Sequence, residues 1–224
     1  VPEDKKPQRE AELDERLLAT PALALERCRT LIADMASYAM ESMRESLGAV
    51  LACTPKAAEY IREDEARTDH YEDTIGSYLV KLSARKIGET DSALAAEYLR
   101  LIGDFERIAD HSVNILESAE ELKNKGISFS PAARQEYQIM SAAVQEVTGL
   151  AYTAFVTGDI GAARRIEPLE QVIDDLKEEL RTRHIRRMQQ GTCGIEAGFI
   201  WSDLLTDLER VSDHCSNIAC CIVE

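Results

Sequence analysis

Apolar residues recur every three to four positions along most of the chain, which is the spacing of one face of an α-helix. Short stretches rich in Gly, Pro, Ser and Thr interrupt this pattern, and no segment alternates in the manner of a convincing strand. Thr54-Pro55 and Ser130-Pro131 are typical helix starts, because the hydroxyl caps the first turn and proline suits its first position. The pattern therefore predicts an all-α protein of six helices.

The interruptions give approximate helix bounds. We expect Thr90 to cap the third helix, and Pro168 to kink the fifth if that helix is continuous. Residues 1–20 are charged and contain two early prolines, so they are interpreted as a linker that buries nothing. The predicted helices cover about 21–47, 55–85, 91–125, 131–157, 160–189 and 195–224.

The two halves of the chain repeat each other. Residues 57–69 match residues 162–174, and residues 104–115 match residues 207–218. Short connections favour antiparallel neighbours. We therefore expect two tandem, pseudo-symmetric three-helix bundles, the first over 21–126 and the second over 127–224.

The repeated motif carries a strip of polar side chains along one helix face. It reads Asp-Phe-Glu-Arg-Ile-Ala-Asp-His from Asp104 and Asp-Leu-Glu-Arg-Val-Ser-Asp-His from Asp207. Glu106, Asp110 and Asn114 are one helical turn apart, and Glu209, Asp213 and Asn217 repeat that spacing. Counting about 100° per residue places these strips on the far side from the apolar stripe. The predicted core stripes consist of Leu101, Phe105, Ile108, Ser112, Ile115 and Ala119, and of Leu204, Leu208, Val211, Cys215, Ile218 and Ile222.

Four pairs of acids at i, i+4 spacing occupy equivalent positions of the two repeats. The second helix of each repeat adds its own pair to the pair in the motif. Clustered carboxylates repel one another, and a multivalent cation removes that repulsion. The candidate metal ligands are Glu65, Asp69, Glu106, Asp110, Glu170, Asp174, Glu209 and Asp213.

The alternative interpretation is a solvated acidic face. With 41 acidic residues in 224, acidic pairs at this spacing arise by chance, so a single pair indicates nothing. Four pairs in equivalent positions favour metal binding. Oxygen ligands suit Fe, Mn, Mg and Zn and do not choose among them.

Further polar residues of the motifs flank these acids. Three histidines follow the acids Asp69, Asp110 and Asp213 by one residue, so they lie beside the strip. They are metal ligands at its edge, hydrogen-bond donors to the ligands, or ordinary surface residues, and the last interpretation is favoured for His70. The arginines could neutralise the acids, hold an anion, or form plain salt bridges. The candidate supporting residues are Asp104, Arg107, His111, Asn114, Asp207, Arg210, His214 and Asn217.

Net charge excludes some partners. The formal charge of −15 argues against nucleic acid and against an anionic membrane face, and it suits cations or basic partners. None of the six cysteines forms a Cys-x-x-Cys pair, so we interpret them as reduced cytosolic thiols and disfavour a zinc–thiolate site. No signal peptide or long apolar run is visible.

The motif Asp-Leu-Glu-Arg-Val-Ser-Asp-His, followed by Asn217-Ile218, resembles the signature helix of the PhoU family. Gly158-Asp159 and the acids of the preceding helix strengthen the resemblance, which spans about 20–224. It implies six helices in two similar bundles, with multinuclear metal clusters, of Fe or Zn, held by the eight acids named above.

The resemblance also implies a regulatory role in phosphate uptake. The segment from Leu13 to Leu25 resembles the entry into the cytoplasmic domain of bacterial Na⁺/phosphate cotransporters. We therefore expect a metal-binding regulatory domain at the inner face of the membrane. Its expected partner is a membrane-embedded phosphate transporter of the same polypeptide, and a homodimer is also possible. The alternative is a stand-alone regulator of a phosphate ABC transporter and sensor kinase.

An enzyme or metal store is the disfavoured rival. Ferritin-like oxidases use Glu-x-x-His pairs that project into a bundle core. Here each histidine directly follows an aspartate, and no nucleophile–base arrangement or phosphate-binding glycine loop is evident. A helical scaffold with empty acidic faces is a third possibility. We expect the protein not to be an enzyme.

Overall fold

A computed structural model describes residues 13–223, and within that range every regular element is a helix. The all-α prediction is confirmed, with six long helices and two five-residue segments within that range. The elements are a 3₁₀ helix at Glu15–Ala19, α1 Pro21–Ala49, α2 Pro55–Ser83, α3 Glu89–Asn124, α4 Pro131–Thr157, α5 Ile160–Arg164, α6 Ile166–Gln189 and α7 Ile195–Val223.

Side-chain caps fix several helix starts. Thr54 accepts a hydrogen bond from the Ala57 amide at 3.2 Å, and Ser130 caps α4 in the same way. Proline follows each cap, as the sequence predicts. The prediction for Thr90 was wrong: α3 begins at Glu89, two residues earlier than predicted, and Gly88 occupies the cap position without a side-chain bond.

Pro168 breaks the predicted fifth helix instead of kinking it. The helix ends at Arg164 and starts again at Ile166, with Arg165 between the two segments. Pro168 has no amide hydrogen to donate to the carbonyl of Arg164, four residues earlier, and its ring crowds that carbonyl. The short α5 and the long α6 result.

The two bundles share one core. Helices α1, α2 and α3 pack together, as do α4, α6 and α7, and α3 lies against α7. Phe105 of α3 meets Phe155 of α4 edge to face, with ring centroids 5.5 Å apart. Tyr137 of α4 donates a hydrogen bond of 2.7 Å to the Leu47 carbonyl of α1. The predicted core stripes are buried except for Ile222, which is partly buried at the end of α7.

The described part of the lead-in is packed, contrary to the expectation that it buries nothing. Leu18 is 4% exposed, and its 3₁₀ helix lies against α1. Tyr78 donates a hydrogen bond to the Asp14 carbonyl, and Lys81 forms an ion pair with Glu15. The mixed charges of this segment gave no indication that Leu18 would be buried. The rest of the predicted linker, residues 1–12, lies outside the described residues.

Helix α4 is the one helix within 13–223 that is long and apolar enough to cross a membrane, judged by length and composition alone. Its apolar residues include Val144, Val147 and Ala151, all fully buried in the second bundle. Ile139 of the same helix, in contrast, is 59% exposed.

Replacing Phe105 by Ala should lower the free energy of unfolding by about 3–5 kcal/mol, because the ring is fully buried between the bundles. Urea unfolding followed by circular dichroism measures the change. The control is Phe199→Ala, at a side chain that is 68% exposed, where a change within about 0.5 kcal/mol is expected. Equal effects of both substitutions would contradict the shared core.

Candidate metal centres

The first acidic cluster forms where α2 packs against α3. Glu65 and Asp69 lie on α2, and Glu106 and Asp110 lie on α3. The side chains of Glu106 and Asp110 are only 20% and 34% exposed. The strip turns away from the apolar stripe, as the sequence predicts, and the acids of α2 lie beside it.

Burial and the charges of neighbouring acids raise the pKa of two of these residues. The pKa of Glu106 is raised to about 7, first by burial and then by the charge of Asp110, with a contribution from Glu72. Burial also raises the pKa of Glu65, helped by the charges of Asp110 and Asp69. Acids from both helices thus share one electrostatic environment.

The second cluster repeats this arrangement between α6 and α7. Glu170, Asp174 and Asp213 each present an oxygen atom within 4.8 Å of the others. Burial raises the pKa of Glu170 and of Asp213, and neighbouring acids of the cluster, including Glu209, add to both shifts. In each half, acids of both helices thus influence one another, but within residues 13–223 only these three of the second cluster present oxygen atoms so close together.

A charge reversal distinguishes the two clusters. Lys177 forms a 3.0 Å ion pair with Glu209 in the second cluster. When residues 57–69 are aligned with 162–174, the same position of the first repeat is Glu72. The first cluster therefore contains five carboxylates, whereas the second contains four and an ammonium group. The sequence analysis missed both residues, although the repeat alignment would have identified them.

The donor set fits hard, oxygen-binding cations. Asp174 and Glu209 each have a buried carboxylate oxygen without a hydrogen-bond partner among residues 13–223. An orphaned buried oxygen is costly unless a cation or water satisfies it. These residues suit Fe, Mn, Mg or Zn ions, and their role as ligands stays a prediction.

The arginines of the motif pair with the acids of their own helix. Arg107 lies 3.2 Å from Asp110 and 3.5 Å from Glu106. Arg210 lies 3.5 Å from Asp213 in the second repeat. Both side chains are about 60% exposed, so these pairs offset part of the negative charge at the rim and contribute little to stability.

The remaining motif residues join α3 to α7. A histidine and an asparagine of each helix donate hydrogen bonds to one aspartate of the other helix, at 2.9 Å from His Nδ1 and at 3.1 and 3.3 Å from Asn Nδ2. The two imidazole rings lie 5.7 Å apart. The two sets are His111 and Asn114 with Asp207, and His214 and Asn217 with Asp104.

The asparagines therefore do not extend the acid strip, because their amides turn toward the opposite helix. A role of His111 and His214 as metal ligands stays a prediction. His70 is exposed on α2, in agreement with the surface interpretation.

Comparison with known families identifies the chain as a whole. The profile of the PhoU domain matches it twice, at residues 32–119 and at residues 137–222. The chain belongs to the PhoU family. The two matches fall on the two bundles, each of which carries one acidic cluster.

Curated relatives are named for phosphate transport. The phosphate-specific transport system accessory protein PhoU homolog 1 of Thermotoga maritima is 32% identical over 120 residues, which cover 54% of this chain and 51% of that protein. The putative inorganic phosphate export protein YjbB of Escherichia coli is 25% identical over 218 residues, which cover 95% of this chain and 39% of that protein. The chain thus spans about half or less of these relatives.

Solved structures show the same fold. The PhoU of Pseudomonas aeruginosa superposes with a TM-score of 0.83 at 22% identity, over 89% of this chain and 95% of that one. The phosphate transport system regulatory protein PhoU of Streptococcus pneumoniae gives 0.79 at 20% identity, over 91% and 95%. These matches confirm the PhoU-like fold.

In the metal-free protein, the free energy of unfolding should fall as the pH rises from about 4.5 through about 7. The cause is that Glu106 binds its proton more tightly in the folded chain, with a pKa of about 7, than in the unfolded chain, at 4.5. Asp64, whose pKa burial raises to about 6, acts with the same sign. Urea unfolding in the presence of a chelator, at about pH 5 and about pH 8, measures the difference.

Glu106→Gln should flatten this dependence, because the neutral amide needs no proton. Glu178→Gln is the control, since Glu178 is 68% exposed on α6. A Glu106→Gln protein with the same pH dependence as the control would show that folding does not raise the pKa of Glu106.

Proposed function

We propose that this chain is a PhoU-type regulator of phosphate transport that holds metal ions in its two acidic clusters. The observation that carries the proposal is that the acids of two helices converge in both family-matched repeats, at equivalent positions. Named relatives support the phosphate context, because they are called accessory or export proteins of phosphate. Iron and zinc are the leading candidates for the ions.

The two clusters should differ in affinity. Lys177 neutralises Glu209 at 3.0 Å, and a bound cation must compete with that ammonium group. The first cluster has Glu72 in place of the lysine, which increases its negative charge. We therefore expect the first cluster to retain metal more strongly.

A separate regulatory chain is the better-supported context. Relatives named as transport accessory proteins, from T. maritima and from Pseudomonas putida, favour the alternative of a stand-alone regulator over a domain of a Na⁺/phosphate cotransporter. The match to a longer phosphate export protein supports a module that acts on a transporter. In this proposal the partner is a membrane-embedded phosphate transporter, approached from the cytoplasm.

The proposed mechanism is interaction instead of catalysis. Bound ions would cancel repulsion between α2 and α3 and between α6 and α7, and so would set how firmly each outer helix is held to its bundle. A partner that contacts those helices would respond to metal occupancy. The names of the relatives likewise describe accessory proteins and not enzymes.

Neutralising either cluster should remove the ions of that cluster and leave those of the other. Protein stripped with a chelator is reloaded with Fe or Zn, desalted and analysed by atomic emission, and its affinity is measured by titration. The first variant combines Glu65→Gln, Asp69→Asn, Glu106→Gln and Asp110→Asn, and the second combines Glu170→Gln, Asp174→Asn, Glu209→Gln and Asp213→Asn.

The matched control neutralises exposed acids of α6, Glu178 and Glu179, which lie outside the clusters. It should bind as many ions as the unmodified chain. Equal ion counts in the unmodified chain, the two cluster variants and the control would show that these eight acids are not the ligands. The second-cluster variant keeps only the ions of the first cluster, and the first-cluster variant keeps only those of the second. The second-cluster variant should hold its ions more tightly, because the first cluster includes Glu72 and its ions do not compete with Lys177.

The regulatory role predicts a change in phosphate uptake by cells. Deleting the gene in its own host should alter uptake of radiolabelled phosphate, and the unmodified gene should restore it. A gene carrying both sets of cluster substitutions should fail to restore it although the protein accumulates normally. Unchanged uptake after deletion would contradict the phosphate role, whereas full rescue by the cluster variant would contradict only the role of metal.

A further inference from the structure

Three side chains with metal-binding atoms meet at the turn between α6 and α7, away from both acidic clusters. His184 and Met188 lie one turn apart on α6, and Cys193 lies in the turn that follows. The Cys193 Sγ atom is 3.6 Å from His184 Nε2. A Cβ atom added to Gly198 of α7 would come within 2.6 Å of Met188 Sδ and 3.3 Å of His184 Nε2. Met188 Sδ and His184 Nε2 therefore lie beside the same glycine, and Cys193 Sγ lies beside that nitrogen.

The helix end places the thiol there. Gly191 adopts a left-handed conformation with φ 68°, which favours glycine. The Thr192 amide donates to the Arg187 carbonyl and the Gly191 amide donates to the Met188 carbonyl, each at 3.0 Å. These two bonds close the end of α6 and reverse the chain. Cys193 consequently returns against the last turns of α6.

The imidazole is held in a fixed orientation. His184 is 3% exposed and stacks on Trp201, with ring centroids 5.7 Å apart and planes 18° apart. Arg187 lies over the same indole ring, and its ion pair with Glu136 at 2.8 Å holds it in place. His184 Nδ1 is buried without a hydrogen-bond partner among residues 13–223. The ring thus directs Nε2 toward Cys193.

The separation of the donor atoms suits a shared metal ion. Bonds of about 2.0 Å to nitrogen and 2.3 Å to sulfur, the lengths known for zinc, place the two ligand atoms roughly 3.5–3.8 Å apart at tetrahedral or trigonal angles. Thiolate and thioether sulfur select soft ions, and thioether sulfur is not a usual zinc ligand. We propose that His184, Met188 and Cys193 bind one Cu(I) ion.

The surroundings favour a ligand over a reactive nucleophile. A thiolate made reactive by an imidazolium would need that charged ring beside it, yet no carboxylate contacts either ring nitrogen of His184 in the described chain. A neutral imidazole is the form that binds metal. Met188 and Cys193 are partly exposed, which leaves the ion a path to the site.

Anaerobic titration of the reduced, full chain with Cu(I), in competition with a chromophoric Cu(I) chelator, tests the proposal. We expect one tightly held ion per chain. Cys193→Ser should weaken binding about 100-fold or more, and Met188→Leu about 10-fold, because each removes one soft ligand. Gly198→Ala keeps all three ligands and should also weaken binding, since its methyl group displaces the Met188 sulfur.

Cys53→Ser is the matched control, because Cys53 is also partly exposed but lies in the first bundle; its binding should be unchanged. Circular dichroism verifies that each variant folds. If the unmodified chain loses Cu(I) to the chelator as readily as Cys193→Ser does, or if Zn²⁺ displaces the bound Cu(I), the proposal is wrong and the Cys193–His184 contact is a hydrogen bond. The acidic-cluster variants should bind Cu(I) normally, so this result is independent of the proposed function.

Discussion

Two aspartates, Asp104 on α3 and Asp207 on α7, accept hydrogen bonds from a histidine and an asparagine of the opposite helix, at 2.9–3.3 Å. Hydrogen bonds to a charged, largely covered carboxylate are stronger than neutral ones. Because each helix supplies the acceptor for the other, a sliding of α3 along α7 would break both sets at once. This reciprocal contact sets the register between the bundles, and the shared apolar core lies beside it.

That register divides the signature helix into three faces with different tasks. One face carries the apolar stripe, such as Phe105, into the core. A second carries Asp104 and His111 to the opposite bundle. The third carries Glu106 and Asp110 toward α2. The motif is dense with polar residues because two of these three faces make contacts through polar side chains.

The halves have diverged where the symmetry of the contact does not constrain them. Lys177 replaces the acid that Glu72 supplies in the first repeat. The second repeat also has the His184–Trp201 stack and exposes Phe199, whereas α3 of the first repeat has a tyrosine and an alanine at the positions of that tryptophan and that phenylalanine. The two bundles therefore acquire separate properties on α6 and at the start of α7, away from the residues that form the reciprocal contact between α3 and α7.

The sequence by itself determined the helical class, most helix bounds, the duplication and the eight acids. Periodic apolar positions and caps such as Thr54 and Ser130 act within a few residues, so they can be recognised from the sequence alone. Only the tertiary structure decided which side chains meet across helices. The contact of His111 with Asp207 joins residues far apart in the chain, and nothing local specifies it. The partial burial of Glu106, which raises its pKa, and the convergence of Cys193 on His184 likewise depend on how whole helices pack.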